Sequence, residues 1–185
     1  MNMNPTHRTA AHVVWSIAGT DSGGGAGLSA DQRAVEAFGL HLCPVPAALT
    51  AQNSTAVTRV QAVDADLLQA QLDALAADMP PRAIKTGLLG SAANVQVLAR
   101  TLDRLRAQAP VPLVIDPVLR ATTGAPLADA DLLAALRAEL LPRATALTPN
   151  RREAAALLGL PPDADMPVPD MARALQALGP ACVAI

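Results

Sequence analysis

Short apolar runs of strand length alternate with amphipathic segments of helix length, and this alternation restricts the fold of the chain more than any other feature. The runs cover residues 13–19, 42–49, 83–86, 112–116, 144–148 and 181–185. They are apolar almost throughout, which is typical of strands buried on both faces of a sheet. Repeated β-α alternation therefore predicts a mostly parallel sheet with helices on both faces, a three-layer α/β/α architecture.

Helix start and stop signals lie between these runs. The predicted capping residues are Asp64, Ser91, Asp129 or Asp131, and Asn150. The helix that Asn150 opens should close at Gly159. The last helix should open at Pro169-Asp170 and close at Gly179-Pro180. These signals predict helices in the segments that connect the strands.

Length and composition narrow the class of protein. A chain of 185 residues suggests one domain, which we assign to residues 13–185, preceded by a disordered N-terminal tail over residues 1–12. No apolar run is long enough for a membrane span, and the N-terminus has no signal-peptide core. The net charge of −2 and the lack of a basic stripe argue against nucleic-acid binding. Cys43 and Cys182 read as buried core thiols rather than a disulfide framework, which fits a cytoplasmic location.

Small and polar residues cluster after the predicted strands. Ligands of open α/β sheets bind at the carboxyl ends of the strands. The segments that follow the first five strands are TDSGGGAG (20–27), TAQNST (50–55), KTGLLG (85–90), DPVLRATTG (116–124) and TPNRRE (148–153). The opposite loops resemble plain connectors. The distribution predicts one site at the carboxyl edge of the sheet.

The glycine-rich segment 20–27 has two interpretations. Glycines that lead into a helix N-terminus bring backbone N–H groups close to a polar ligand. Alternatively, they form a tight turn that packs the helix on the sheet. Residues 25–30 match the dinucleotide fingerprint G-x-G-x-x-A, but Gln52 and Asn53 stand where an acidic ribose contact is expected. A Walker A loop is excluded because no lysine lies near the glycines.

Asp116, Asn150 and Glu153 follow neighbouring strands and should share one rim of the sheet. Carboxylates at such a rim suit a hydrated Mg²⁺ ion that also binds phosphates. The structural alternative is that Asn150 and Glu153 form a capping box. None of the three histidines lies in a candidate segment, which argues against a histidine triad or a zinc site.

Five motifs in this order resemble those of the hydroxymethylpyrimidine/phosphomethylpyrimidine kinases of thiamine biosynthesis, which belong to the ribokinase-like superfamily. IAGTDSGGGAGLSAD (17–31) resembles the family opening I-A-G-[ST]-D-[PS]-S-G-G-A-G-I-Q-A-D. TAQNS, KTGLLG, VIDPVL and TPNRREA resemble T-A-Q-N-T, K-x-G-M-L, V-x-D-P-V-M and T-P-N-x-x-E-A. The similarity extends over residues 13–185.

The resemblance implies a ribokinase-like fold and an enzyme that uses ATP and Mg²⁺. Its small-molecule substrates would be 4-amino-5-hydroxymethyl-2-methylpyrimidine and the monophosphate of this alcohol. Asp31 and Gln52 would bind the aminopyrimidine ring, and Gly19 and Leu88 would line its pocket. Asp116 and Glu153 would hold Mg²⁺ through water, with Asn150 near the phosphates. The resemblance also makes a homodimer possible.

The chain departs from the family in one of its loops. Residues 121–124, ATTG, replace a common A-K-S-G, so a cationic phosphate contact is missing there. Arg120 or Lys85 could compensate for this contact, and the roles of both residues stay open.

The larger departure from the family is at the C-terminus. The sequence stops at Ile185, where the last predicted strand ends. The family continues past this strand with K-G-G-H and G-T-G-C segments, and the cysteine of the second segment would be the base. The catalytic base is therefore expected beyond Ile185, and none is assigned among residues 1–185. The expectation is a C-terminally truncated member, weakly active or inactive on its own.

Three other functions remain open at this point. A pyridoxine or pyridoxal kinase shares the architecture and acts on a similar hydroxymethyl heterocycle. A non-catalytic pyrimidine-binding remnant would keep the pocket without phosphoryl transfer. A dinucleotide-binding domain is disfavoured by Gln52 and Asn53.

Overall fold

The computed structural model describes residues 12–120 and 127–185. The strands in these ranges are β1 (Val13–Gly19), β2 (His41–Gln52), β3 (Val57–Ala62), β4 (Ala83–Thr86), β5 (Leu113–Ile115), β6 (Ala146–Leu147) and β7 (Cys182–Val183). The helices are α1 (Gly27–Ala37), α2 (Ala65–Asp78), α3 (Ala92–Arg106), α4 (Ala130–Ala135), α5 (Arg151–Leu158) and α6 (Val168–Gln176). A π-helical segment, Leu136–Leu140, and a 3₁₀ turn, Leu141–Arg143, extend α4.

The strands form a single sheet in the order β3-β2-β1-β4-β5-β6-β7. All neighbouring pairs are parallel except β2 and β3. β1 lies between β2 and β4, so the chain moves outward through α1 and then returns through α2. Successive side chains of β1 point to opposite faces of the sheet. Ser16 donates to Asp31 on α1, and Trp15 donates to the carbonyl of Met79 at the end of α2, so the two helices lie on opposite faces.

The edge of the sheet beside β2 differs from the prediction. The second strand was expected to end at residue 49, but β2 continues to Gln52 and pairs with β3. β3 was not anticipated, because half of its side chains are exposed, none is buried, and its sequence, VTRVQA, is not a continuous apolar run. An antiparallel hairpin with one face in solvent needs no such run.

The last strand is shorter than the prediction. An apolar run over residues 181–185 predicted a strand that ends at Ile185, but β7 covers only Cys182–Val183. Among the described strands β7 pairs with β6 alone, and β6 itself has two residues, so the ladder between them is short. Ile185 lies past the strand, and its partly buried side chain packs against the hydrophobic core. The apolar character of Ile185 therefore reflects packing on the core rather than strand pairing, whereas Ala184 is exposed.

Capping residues begin several helices at the predicted positions. The side chains of Ser91 and Asp129 accept from the backbone N–H groups of Asn94 and Leu132. Asp64 stands at the N-cap of α2, but its side chain makes no capping hydrogen bond. Gly159 ends α5 with φ of 73°, the left-handed conformation that a helix-terminating glycine adopts at lowest cost.

The core lies between the sheet and the helices. Trp15, Ile17, Leu68, Leu98 and Leu113 are fully buried in it. The indole Nε1–H of Trp15 donates to the carbonyl of Met79 at 2.9 Å, so its polar group is satisfied.

One of the two thiol predictions was wrong. Cys43 is buried as predicted, whereas Cys182 is exposed because it lies on β7, at the open edge of the sheet. Of the predicted tail, residues 1–11 lie outside the described residues. Within the described ranges, no helix is both long enough and apolar enough to cross a bilayer.

Candidate active site

A cavity of about 790 Å³ lies at the carboxyl ends of the strands, where the sequence predicted the site. Each of the five predicted segments contributes residues to its wall, as far as the described residues show. The wall residues that matter for the chemistry of the site include Gly19, Asp21, Gln52, Lys85, Leu88, Asp116, Arg120, Asn150, Arg152 and Glu153. The wall therefore brings together all of the predicted site residues except Asp31.

The glycine-rich loop is organised by the carboxylate of Asp21. The N–H groups of Gly23, Gly25 and Ala26 all donate to it, each at 2.8 Å. Burial alone would raise the pKa of Asp21, but these bonds and one from the Gln52 side chain outweigh it and lower the pKa. The three N–H groups are thus bound within the loop, as the tight-turn interpretation expects.

Close backbone contact explains one of the glycines in the loop. Gly27 opens α1 with φ of 54°, and a Cβ at this position would lie 2.3 Å from the carbonyl oxygen of Gly19. A side chain at Gly27 would therefore separate the start of α1 from the end of β1. Gly19 itself contacts Leu88, since a Cβ on Gly19 would lie 3.2 Å from Leu88 Cδ2.

Gln52, Gly19 and Leu88 line the cavity on the side of β2, β1 and β4, here called the acceptor end. Ser22 ties Gln52 to the loop, because its Oγ accepts from the Gln52 N–H at 3.0 Å and donates to the carbonyl of Thr50 at 2.8 Å. These bonds fix the end of β2 against the glycine-rich loop. The acceptor end thus offers a primary amide, an apolar side chain and a bare stretch of backbone.

Asp31 lies on α1, just outside the cavity wall. Its carboxylate accepts from Ser16 Oγ at 2.5 Å and from Lys85 Nζ at 3.0 and 3.1 Å. Oδ2 accepts from both partners, whereas Oδ1 accepts from Lys85 alone. Asp31 therefore borders the site through Lys85.

Lys85 is the residue whose importance the sequence analysis left open. It is the only lysine in the chain and stands on β4 opposite Ser16 of β1. Its Nζ lies 3.0 Å from Asp31 and 3.5 Å from Asp116, so the ammonium bridges the two carboxylates. Its position within the K-T-G motif was the available signal, but the sequence could not show which carboxylates it contacts.

Asp116, Glu153 and Asn150 form the other end of the cavity, here called the acidic corner. Asn150 and Glu153 also form the capping box of α5, with bonds of 2.9 and 3.0 Å. The capping-box interpretation is therefore confirmed. Both residues also line the cavity, and their role toward Mg²⁺ and phosphates stays a prediction. The capping box uses Glu153 Oε2, and the N–H of Leu119 donates to the same carboxylate.

The carboxyl groups of the acidic corner ionise less readily than free ones. Burial raises the pKa of Asp116 and outweighs the neighbouring Lys85 ammonium. Burial also raises the pKa of Glu153, and the charge of Asp116 adds to the increase. A cation bound at the corner would relieve this repulsion, and a pair of carboxylates matches the ligand set of a hydrated Mg²⁺. Among the described residues, no group of three or more His, Cys, Asp and Glu side chains is arranged for a metal.

Two arginines face the cavity on the side of α5 and the loop after β5. Arg152 stands in the first turn of α5, and Arg120 ends the described part of the loop. The ATTG segment, residues 121–124, in which the family lysine is missing, lies outside the described residues. The described wall therefore carries three cations, Lys85, Arg120 and Arg152.

The predicted catalytic base cannot be placed in this cavity. It was expected beyond Ile185, the last residue of the sequence, so no described residue tests that prediction. Neither cysteine of the chain takes its place, because Cys43 and Cys182 both lie outside the cavity wall. The base beyond Ile185 stays a prediction from the family resemblance.

Comparisons with known proteins agree with this arrangement. A family model described as phosphomethylpyrimidine kinase matches residues 21–185. The chain is 43% identical over 176 residues to the hydroxymethylpyrimidine/phosphomethylpyrimidine kinase of Synechococcus elongatus. That alignment covers 95% of this chain and 65% of the relative, so the chain spans slightly less than two thirds of the relative's length.

Solved structures show the same fold. The phosphomethylpyrimidine kinase of Clostridium difficile superposes with a TM-score of 0.81 at 33% identity, over 92% of this chain and 73% of that one. The pyridoxal kinase of Staphylococcus aureus, solved with AMP-PCP and pyridoxal, superposes with a TM-score of 0.79 at 26% identity, over 94% and 61%. The predicted ribokinase-like α/β fold is thus confirmed. By its match to the family model and its identity to these relatives, the chain belongs to the phosphomethylpyrimidine kinase family.

Proposed function

We propose that the chain binds 4-amino-5-hydroxymethyl-2-methylpyrimidine and its monophosphate as acceptors for the γ-phosphoryl group of ATP, in the synthesis of thiamine diphosphate. The observation that carries the proposal is one cavity that joins the acceptor end to the acidic corner. An acceptor and a nucleotide bound at these two ends would face each other, as phosphoryl transfer requires. Membership of the kinase family supports the same reaction.

The acceptor end suits a small aminopyrimidine. The Gln52 amide offers both a donor and an acceptor, which match the alternating groups along the edge of such a ring. Leu88 provides an apolar surface for one face of the ring, and Gly19 lets the ring approach the backbone. The family resemblance also assigns the exocyclic amino group to Asp31. Because Asp31 lies just outside the cavity wall, this contact requires the amino group to reach its Oδ1 beside Lys85.

The acidic corner suits a magnesium-bound nucleotide. Asp116 and Glu153 would hold Mg²⁺ through water, and Asn150 would lie near the phosphates. When bound, Mg²⁺ neutralises the charge on the transferring phosphoryl group. The AMP-PCP complex of the pyridoxal kinase neighbour supports ATP as the donor.

Pyridoxal kinase is the second candidate function. The pyridoxal complex of the structural neighbour supports it, because that protein shares the fold of this chain. The identity to that kinase is 26%, against 43% to the pyrimidine kinase of Synechococcus elongatus. This difference in identity favours the pyrimidine kinase function over the pyridoxal kinase function.

Calorimetric titration of the 185-residue chain with hydroxymethylpyrimidine, and separately with pyridoxal, tests the proposal. We expect saturable binding of the pyrimidine, weakened about tenfold by Gln52→Ala, the cost of a lost hydrogen-bond pair. Gln96→Ala is the matched control, since Gln96 is an exposed amide on α3 outside the cavity wall. No binding of the pyrimidine by the folded chain would contradict the proposal, and preferential binding of pyridoxal would favour the second candidate.

A separate assay addresses the non-catalytic alternative. ADP release in the presence of ATP, Mg²⁺ and the pyrimidine reports transfer, whereas titration reports only binding. Pyrimidine binding without ADP release, even in a longer form of the protein that continues past Ile185, would identify a binding remnant.

A further inference from the structure

The Lys85 ammonium lies where the two ends of the cavity meet. Both oxygens of Asp31 are within 3.1 Å of Nζ, whereas the nearest Asp116 oxygen is 3.5 Å away. The second distance is longer than a normal N–H···O hydrogen bond. An ammonium has three N–H donors, so at least one of them is only loosely engaged. Lys85 also lines the cavity.

Lys85 is also the cation closest to the acceptor end in the order of the strands. It stands on β4, which pairs with β1, the strand that ends at Gly19. The other two cations of the described wall, Arg120 and Arg152, follow β5 and β6 on the side of the acidic corner. A negative group carried by the acceptor would therefore meet Lys85 first.

The two proposed acceptors differ by such a group. The alcohol is uncharged at its hydroxymethyl oxygen, whereas the monophosphate carries up to two negative charges at the same position. Asp31 and Asp116 would repel that phosphate if no cation stood between them. The ammonium is compact. Gly87 leaves space beside it, because a Cβ at that position would lie 3.3 Å from Nζ.

We propose that Lys85 is a specificity-determining residue that binds the phosphate of the monophosphate acceptor. This inference rests on the proposed function, because it assigns the second of the two acceptors to a residue of the same cavity. Before the acceptor binds, the ammonium is held by Asp31. When the monophosphate binds, the loosely engaged donor turns from Asp116 to a phosphate oxygen, and Asp31 keeps its contacts.

Binding of the two acceptors to Lys85→Met, a variant that removes the charge and keeps most of the length of the side chain, provides the test. Calorimetry without nucleotide measures both affinities on wild type and variant. We expect the monophosphate to bind roughly tenfold or more weakly to the variant, the loss typical of a charge-assisted hydrogen bond. The alcohol should change by less than about threefold, because its hydroxymethyl group does not need the cation.

Arg100→Met is the matched control for net charge. Arg100 is exposed on α3 and lies outside the cavity wall. This variant removes one positive charge from the protein and should leave both affinities unchanged. Weaker binding of the monophosphate to the control as well would mean that net charge, rather than Lys85, accounts for the effect. That result would overturn the assignment.

A second measurement covers the case in which Lys85→Met does not fold. Because the chain has a single lysine, protein labelled with ¹³C-lysine gives one ε-methylene signal for this side chain in a ¹H–¹³C spectrum. We expect the monophosphate to shift this signal, with saturation at the calorimetric affinity, and the alcohol to shift it less. An unchanged signal while calorimetry shows that the monophosphate binds would overturn the assignment.

The outcomes separate the two proposals. If Lys85→Met weakens the binding of both acceptors equally, Lys85 only supports the pocket. The assignment is then wrong, while the proposed function stands. If the folded wild-type chain binds neither acceptor, the proposed function is wrong, and the role of Lys85 fails with it.

Discussion

Gly27 is the residue at which the site tolerates a side chain least. A Cβ there would lie 2.3 Å from the carbonyl oxygen of Gly19, and its φ of 54° is left-handed. Gly24 has a similar φ of 71°, but a Cβ there would meet nothing within 4 Å. A side chain at Gly24 would thus meet backbone strain alone, whereas a side chain at Gly27 would meet both backbone strain and a steric contact.

We expect Gly24→Ala to lower the free energy of unfolding by about 1–2 kcal/mol, the cost of a left-handed alanine. Gly27→Ala should lower it by a further ~1–3 kcal/mol, because the methyl group forces the start of α1 away from β1. Urea denaturation of both variants measures the difference. Equal losses in the two variants would show that the contact with Gly19 does not constrain the loop.

Ionised Asp116 lowers the stability of the folded state. Burial raises its pKa above the ordinary value of 3.8, so the folded state holds this proton more tightly than the unfolded state does. Ionisation at neutral pH therefore destabilises the folded state. Below the ordinary value the carboxyl is protonated in both states, and the cost disappears.

Asp116→Asn should consequently raise the urea midpoint at pH 7, and the gain should shrink as the pH falls through the raised pKa toward 3.8. Asp163→Asn, at an exposed loop position before α6, is the control. It should change neither the urea midpoint at pH 7 nor the dependence of that midpoint on pH. A lower midpoint for Asp116→Asn at pH 7 would mean that the ion pair with Lys85 outweighs the cost of burial.

At the scale of elements, α5 depends on a cap that also belongs to the site. Asn150 Oδ1 accepts from the Glu153 N–H at 3.0 Å, and α5 packs against α6. Asn150→Ala should lower the free energy of unfolding by ~1 kcal/mol, whereas Asn150→Ser keeps a capping oxygen and should lose much less. Urea denaturation compares them, and equal stability of the two variants would rule out a capping role.

The sequence could predict the parallel part of the sheet and missed its antiparallel part. The limits of β1 and β4 were correct to the residue, although β4, AIKT, ends in two polar residues. β3 was missed because its pattern depends on pairing with β2 rather than on burial. β7 was predicted too long, because an apolar residue such as Ile185 can pack on the core without joining the ladder. The caps at Ser91, Asp129 and Asn150 were predictable, because a cap depends on a few neighbouring residues.

At the scale of the whole molecule, the sequence predicted where the site lies but not how its charges pair. The carboxyl edge of a parallel sheet gathers the segments after its strands, so Asp116 and Glu153 could be placed together. The pairing of Asp31 with Lys85 depends on the register that sets Ser16 beside Lys85, which no local pattern specifies. The hydrogen bonds that the loop N–H groups donate to Asp21 could not be predicted for the same reason, since they depend on φ and ψ of the glycines. A homodimer and a cytoplasmic location stay predictions.

The central claim is that the acceptor end of the cavity holds the aminopyrimidine, and a crystal structure of the chain with hydroxymethylpyrimidine tests it most directly. We predict that the ring lies against Leu88 and Gly19, with its edge on the Gln52 amide and its hydroxymethyl group directed toward Lys85 and the acidic corner. A ring bound in the acidic corner, or with its hydroxymethyl group directed away from Lys85, would contradict the account.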